Sequence, residues 1–553
     1  MKLFSEFPHP RFFKPTYQSA FTILIMAFGT IAIWQHNRDI LLDLFDYSPV
    51  ITAAGKVEAG LLPYTGVRSP MQSSVYIFNR ATEMVFGRSY LSLTWGGLVQ
   101  ALGGGLLLRW LLRRSLGPVA ATMIALAVTM AGLLQHVVFF YNPIGILCLS
   151  IVVLGVAQQP SLWAAQSWRT VAIFAALFVG GINKLNFHGT ALLLSGLLIL
   201  VAWAGHKIAW RDFFRSVFLL GLFGLGLPLL FELVWTGATF RQWLNDVVIL
   251  SSARHAYLSH TFDLGMYLRP VHNYHHHLLV PAIGGCGLLL LAVTGAWSLY
   301  DSRRNWCGWG DVLARLALLV AGAVTGALLM ITNHESVLLT SLVYPVLAAA
   351  IYLTCRRPDQ TIDRWVSCLI MGAMFLWSGA GAYATWHGSR VLYGLTPPPR
   401  SDYVRLQADG RALAYLKGVR LLPEQIHELE ILAAQLQTLE DSDGKLRDVL
   451  FGPALEWMER SYPEAIVPHA PIWYHYGTSL KDNDTEYFRE LLGQGTRRLV
   501  THASWQAWPG DFIQLLEREY RAERVGSYYL IYYPRDKRVP PTINAVEDSP
   551  SNK

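Results

Sequence analysis

The chain has 553 residues, of which 53% are hydrophobic and 15% charged, with a mean hydropathy of +0.31. Soluble globular chains carry roughly 25% charged residues, so this composition excludes an ordinary water-soluble enzyme, a disordered chain and a fibrous repeat, and it points to a membrane protein with some soluble mass attached. The formal charge of +7 is small for the length; basic residues gathered on cytoplasmic loops account for it, and no nucleic-acid partner is expected.

An apolar run of about 20 residues can cross a bilayer. About eleven such segments are predicted, near 17–36, 90–108, 118–137, 143–158, 170–186, 189–205, 216–235, 278–299, 312–331, 337–354 and 365–386. The first has a basic flank and no small-residue cleavage site, so it reads as an anchor. With eleven spans, the basic positions Lys2, Arg11 and Lys14, the connection holding Arg109, Arg113 and Arg114, and then Arg169, Lys207 with Arg211 and Arg215, Arg303 with Arg304, and Arg356 with Arg357 all fall on one side. The positive-inside rule makes that side the cytoplasm. The expectation is a multi-pass protein of the inner (cytoplasmic) membrane with a cytoplasmic N-terminus and an external C-terminal domain.

Four external segments follow, 37–89, 184–188, 236–277 and 332–336, and loops as long as the first and third are uncommon unless functional. The membrane module is expected over 1–386. Pro397-Pro398-Pro399 stiffens a linker over 387–401, and a small α/β domain is predicted over 402–536, with strands at Asp448–Phe451, Arg498–Thr501 and Tyr528–Tyr533 and helices at Pro423–Leu439 and Gly510–Tyr520. Residues 537–553 read as a disordered tail. The cysteines, Cys148, Cys286, Cys307, Cys355 and Cys368, all precede the tail domain and form no CxxC spacing, so no disulfide framework or thiolate metal site is expected there.

The first external loop is the most informative segment. It runs Leu41-Leu42-Asp43-Leu44-Phe45-Asp46-Tyr47-Ser48-Pro49, then Gly60-Leu61-Leu62-Pro63-Tyr64, and later Phe86-Gly87. An acid follows the first span, a short helix ends at a glycine, a Pro-Tyr turn comes next, and a second short helix ends in Phe-Gly. This pattern resembles the first periplasmic loop of the GT-C superfamily of integral-membrane glycosyltransferases, which use polyprenyl-phosphate sugars. Phe140-Tyr141-Asn142-Pro143 and Gly181-Ile182-Asn183-Lys184-Leu185-Asn186 resemble further segments of that family, and the C-terminal domain ending Tyr528-Tyr529-Leu530-Ile531-Tyr532-Tyr533 looks like the small periplasmic domain of many members. The resemblance implies a polytopic α-helical fold of the GT-C type, a polyprenyl-phosphate-linked monosaccharide donor, inversion at the anomeric carbon, and a lipid-linked glycan, polysaccharide or protein acceptor. It makes Asp46 the catalytic acid and Asp43 the alternative. Tyr47 stands where the family often has a second acid. Tyr47, Tyr64 and Arg68, with Asn333, His334 and Glu335 of a later external turn, are expected to line the substrate.

The residues carry their own chemistry. Moving a sugar to a hydroxyl calls for a base, and partial desolvation at the membrane surface strengthens a carboxylate for that task. The ordinary alternative is that Asp46 caps the helix after it, with Ser48 sharing the work. Lys184, at the end of an apolar span, suits a lipid phosphate, or it snorkels as an anchor. Arg254, Arg269 and His272 are further phosphate candidates. The histidines from His272 to His277 and the pair His334-Glu335 could hold a metal, but consecutive histidines diverge; no cofactor is required on this reading, a divalent ion remains the alternative, and activity is expected to survive chelation. A glycan ligase or polymerase and, more remotely, a lipid-linked sugar transporter or flippase are the competing classes. Transport would call for charges deep in the spans or paired halves, and only Glu232, near a span end, is of that kind.

Overall fold

The computed structural model describes residues 15–41, 44–163, 168–250, 279–304, 308–332, 342–355, 372, 400–408, 410–474, 479–503 and 508–535. Helix α1, Pro15–Asn37, is followed by two short helices, α2, Leu44–Glu58, and α3, Ser73–Phe86. Gly60, at φ +76°, and Gly87, at φ +96°, stand just past their ends, the backbone region that glycine adopts without a Cβ clash. The long helix α4, Tyr90–Gln135, is opened by Ser89, whose side chain accepts from the Ser92 amide. Gly117, at φ +81°, with Pro118 next to it, breaks α4 into two arms. These arms are the second and third predicted spans. Arg109, expected in the connection, is instead buried in the first arm, where its guanidinium donates to the Ser19 carbonyl at 2.9 Å and Thr22 Oγ1 at 2.8 Å. It needs those acceptors because its charge has left water.

Helix α5, Tyr141–Gln158, is apolar all round and buried on almost every side, as a helix at the centre of a bundle must be. Helices α6, Trp168–Gly181, and α7, Leu185–Ala204, meet at residues 182–184. The predicted break at 187–188 is therefore a few residues late. Gly181 packs against Pro228 too closely for a Cβ, which would lie 2.6 Å from that ring, and the chain turns immediately after it. Helix α8, Trp210–Gly221, continues through a π-helical segment, Leu222–Gly226, into α9, Leu227–Thr236. Then come α10, Phe240–Leu244, and in the second half of the bundle α11, Leu279–Arg304, α12, Trp309–Thr332, and α13, Val343–Cys355. Among the described residues six helical stretches are long and apolar enough to cross a bilayer, Tyr17–Asn37, Tyr90–Leu134, Tyr141–Gln158, Leu185–Ala204, Trp210–Thr236 and Trp309–Leu329. The protein is an integral-membrane protein. The predicted span at 365–386 and the linker lie outside the described residues, apart from isolated positions.

The C-terminal part holds a short antiparallel pair, β1, Val404–Arg405, with β2, Arg420–Leu421, then α14, Pro423–Thr438. Its main sheet is formed by β3, Val449–Phe451, β4, Arg498–His502, β5, Tyr520–Val525, and β6, Tyr529–Pro534, in the order β3-β4-β6-β5. Strand β3 runs parallel to β4, with Leu450 opposite Leu499, and the other pairings are antiparallel. Helices α15, Thr485–Leu491, and α16, Gly510–Glu519, complete the layer. Three strands match their predicted positions to within a residue or so. Strand β5 went unpredicted, because only its end residues Tyr520 and Val525 are buried and no apolar alternation marks an edge strand of this kind.

The C-terminal domain does not stand apart from the membrane module. Tyr47, Val50, Ile51, Val75 and Tyr76 of the first loop share one apolar core with Leu416, Leu421, Trp457 and Met458. Asp39, just past α1, is ion-paired with Arg400 at 2.8 Å and Arg420 at 3.1 Å. The first loop and the C-terminal domain thus sit at the same end of the helical bundle.

Candidate functional site

Asp46 stands in the first turn of α2, where the helix dipole favours an acidic residue. Tyr47 beside it is fully buried; its ring meets Tyr90 at 5.9 Å, His136 at 5.5 Å and Phe140 at 6.2 Å between centroids. His136, which ends α4, stacks on Phe140 at 3.6 Å. Phe140 in turn meets Tyr141 at 4.2 Å, and the Tyr141 ring takes the Lys184 ammonium at 4.3 Å. The segments singled out around Asp46, Phe140-Tyr141-Asn142 and Lys184 are therefore joined by one ladder of rings. Lys184 Nζ also donates to Asn142 Oδ1 at 2.7 Å.

The start of α3 is pinned to the corner that carries Lys184. Gln72 Nε2 donates to the Gly181 carbonyl at 2.8 Å, the Ser74 amide to the Ile182 carbonyl at 3.0 Å, and Ser74 Oγ to Asn183 Oδ1 at 2.8 Å. One turn further on, Phe78 stacks on Phe139 at 4.5 Å. There an apolar groove of about 430 Å³ runs beneath α3, between α4, α5 and α6, with Phe78, Phe86, Leu107, Phe139, Leu147 and Val179 in its walls.

The Pro-Tyr turn is a clasp. Tyr64 is buried at φ +68°, a strained setting for a side-chain-bearing residue. Its hydroxyl donates to Glu232 Oε2 at 3.0 Å, and Glu232 also accepts from the Ser73 amide at 3.0 Å and Ser73 Oγ at 2.6 Å. Burial and the adjacent Glu232 carboxylate push the Tyr64 phenol well above its ordinary range. Glu232, the one charge near a span end that could have suggested transport, is thus fully engaged in holding the loop. Arg68 lies 2.8 Å from Asp484 and 4.4 Å above the Tyr487 ring, so it ties the loop to the C-terminal domain.

Sequence reasoning missed the contact between α2 and the C-terminal domain. The 3-10 turn Glu456–Arg460 lies along one face of α2. Ser48, offered as a helix cap, is instead inside α2, donating to Glu456 Oε2 at 2.6 Å and accepting from the Trp457 amide at 2.9 Å. Lys56 pairs with Glu459 at 2.7 Å, both almost fully buried. Arg460 pairs with Glu58 at 2.8 Å and Glu83 at 2.5 Å, and Tyr415 donates to Glu83 at 2.9 Å. His136 was missed as well, its only signal being a lone histidine beside the aromatic run at 139–141. In the tail, Tyr474 is a core residue beside Trp508. Asp43, Arg254, Arg269, His272, Asn333, His334 and Glu335 lie outside the described residues. Among the described residues no group of three His, Cys, Asp or Glu side chains is placed to hold a metal ion.

Fold and site together define a polytopic membrane protein whose first long loop is locked between a helical bundle and an α/β domain. No family model and no curated protein matches the chain. Among solved structures it is similar to ArnT from Cupriavidus metallidurans bound to undecaprenyl phosphate, with a TM-score of 0.44 and 12% identity over 92% of this chain and 97% of that one. It is similar also to the Archaeoglobus fulgidus oligosaccharyltransferase tethered with an acceptor peptide, with a TM-score of 0.44 and 12% identity over 95% of this chain and 75% of that one.

Proposed function

We propose that this protein is a GT-C type glycosyltransferase that moves a monosaccharide from a polyprenyl-phosphate donor to an acceptor hydroxyl at the external, periplasmic face of the inner membrane. The observation that carries the reading is the convergence of the Asp46 turn and Lys184 on one aromatic ladder, with an apolar groove opening beside the Lys184 corner. A lipid phosphate needs a cation at headgroup depth and apolar space for its chain. Lys184 supplies the first and the groove the second. Asp46 takes the acceptor proton as the new bond to the anomeric carbon forms and the bond to the phosphate oxygen breaks, with inversion. Lys184, joined by Arg254, Arg269 and His272, stabilises the departing polyprenyl phosphate. Tyr47, Tyr64 and Arg68, with Asn333, His334 and Glu335, are assigned on this reading to the lining of the substrate site. The sugar is a hexose or pentose, the acceptor a lipid-linked glycan, a polysaccharide or a protein, and no metal takes part.

The test is a transfer assay on purified full-length protein with a panel of polyprenyl-phosphate hexoses and pentoses and lipid-linked glycan acceptors. The reading predicts sugar transfer with release of polyprenyl phosphate from at least one donor. Translocation of a labelled lipid-linked sugar across vesicles without any transfer would establish the transporter class instead.

A further inference from the structure

We infer that Glu456 of the C-terminal domain is a positioning residue for the external active site: through Ser48 it sets the orientation of the first turns of α2 and so of Asp46. This rests on the reading of Asp46 given above, and the geometry beneath it stands independently. Three residues of α2, Ser48 near its start and Lys56 and Glu58 near its end, are bonded to the Glu456–Arg460 turn. Ser48 is held between the Glu456 carboxyl, at 2.6 Å, and the Trp457 amide, at 2.9 Å. Eight residues later Lys56 meets Glu459 at 2.7 Å, and two residues after that Glu58 meets Arg460 at 2.8 Å. Between them Gly55 leaves no room for a Cβ, which would lie 2.8 Å from Arg460 Nη1. A helix gripped at both ends of one face keeps its rotation and its depth. Ser48 is the grip nearest Asp46, two residues away on the same turn, and it has no water to fall back on because both it and Glu456 are buried.

The grip has a chemical signature. Lys56 serves Glu459, and Arg460 serves Glu58 and Glu83, so among the described residues no cation pairs with Glu456 itself. The titratable groups that face it are Glu459 from its own turn, which repels a second negative charge, and Tyr474. Burial first, and then Glu459, push the Glu456 carboxyl up to about 8. The docked turn therefore binds a proton that a free carboxyl releases near its ordinary value. The docking contribution is complete below the ordinary carboxyl range and is lost as pH rises toward about 8.

The experiment compares wild type, Glu456→Ala, Glu456→Gln and Ser48→Ala as full-length protein in nanodiscs, by hydrogen exchange of the α2 amides and by transfer kinetics. Glu456→Ala and Ser48→Ala are expected to lower α2 protection factors about tenfold while β4 and β6 keep theirs. They are also expected to lower kcat by roughly ten- to a hundredfold with donor KM within about twofold. Glu456→Gln, which keeps an acceptor for the Ser48 hydroxyl and cannot ionise, restores both. Wild-type α2 protection falls as pH rises from the ordinary carboxyl range to about 8 and levels off above it, and Glu456→Gln flattens that fall. Unchanged α2 protection in Glu456→Ala overturns the inference whatever the turnover, and so does lost protection with unaltered kcat. If protection responds as expected but wild type transfers sugar from no donor, the clasp stands and the reading of the reaction falls.

Discussion

Lys56 and Glu459 are 403 residues apart in sequence and 2.8 Å apart in the fold, and both are almost wholly removed from water. Removing one partner strands a buried charge, whereas replacing both with apolar groups of similar size does not. Glu459→Ala should therefore destabilise the protein by roughly 3–5 kcal/mol, and the double change Lys56→Met with Glu459→Leu should recover most of that loss. Chemical denaturation of the detergent-solubilised protein measures both, and a single variant as stable as wild type would show the pair to be solvated. On the proposed reading Lys184 holds the donor phosphate. Lys184→Ala should raise the donor KM by about tenfold or more with a smaller change in kcat, since it removes a charge–phosphate contact, and titration with polyprenyl phosphate checks this directly. Asp46 and Lys184 stand out in the sequence because each is a charge beside apolar runs. Glu456 could not, because an acid in a polar domain carries no such contrast, and its partner Ser48 looks from sequence like a helix cap.

The helices were legible wherever an apolar run ended at a glycine or a basic pair, as at Gly60, Gly87 and Gly117. Boundaries slipped where packing decided them. Gly181 lies against Pro228, so the corner before α7 closes before the expected residues. Strand β5 offered no period because it lies on a sheet edge with four exposed residues between its buried ends. The element on which most depends is α2, and its own sequence gives a direct probe. A methyl group at Gly55 would press on the Arg460 guanidinium, which is itself held by Glu58 and Glu83 and has nowhere to go. Gly55→Ala should cost roughly 1–3 kcal/mol through overpacking, against the small gain that helix propensity alone would give. A thermal-stability measurement separates the two signs.

At the scale of the whole molecule, the first loop and the C-terminal domain share a core, so the membrane module and the external domain act as one body at the site. Their docking was not legible in the sequence, because it is built from contacts between residues about 400 apart. The architecture sets a helical bundle, the corner carrying Lys184 and the C-terminal domain against the helix that bears Asp46. On the proposed reading, what unites these parts is the Asp46 carboxylate at the first turn of α2, which accepts the acceptor's proton. The most direct measurement is sugar transfer by purified Asp46→Asn protein alongside wild type, with polyprenyl-phosphate binding and thermal stability recorded on the same samples. The account predicts that this variant folds and binds the lipid as wild type does but turns over at least about a thousandfold more slowly. Turnover close to wild type in a folded, lipid-binding Asp46→Asn protein would contradict it.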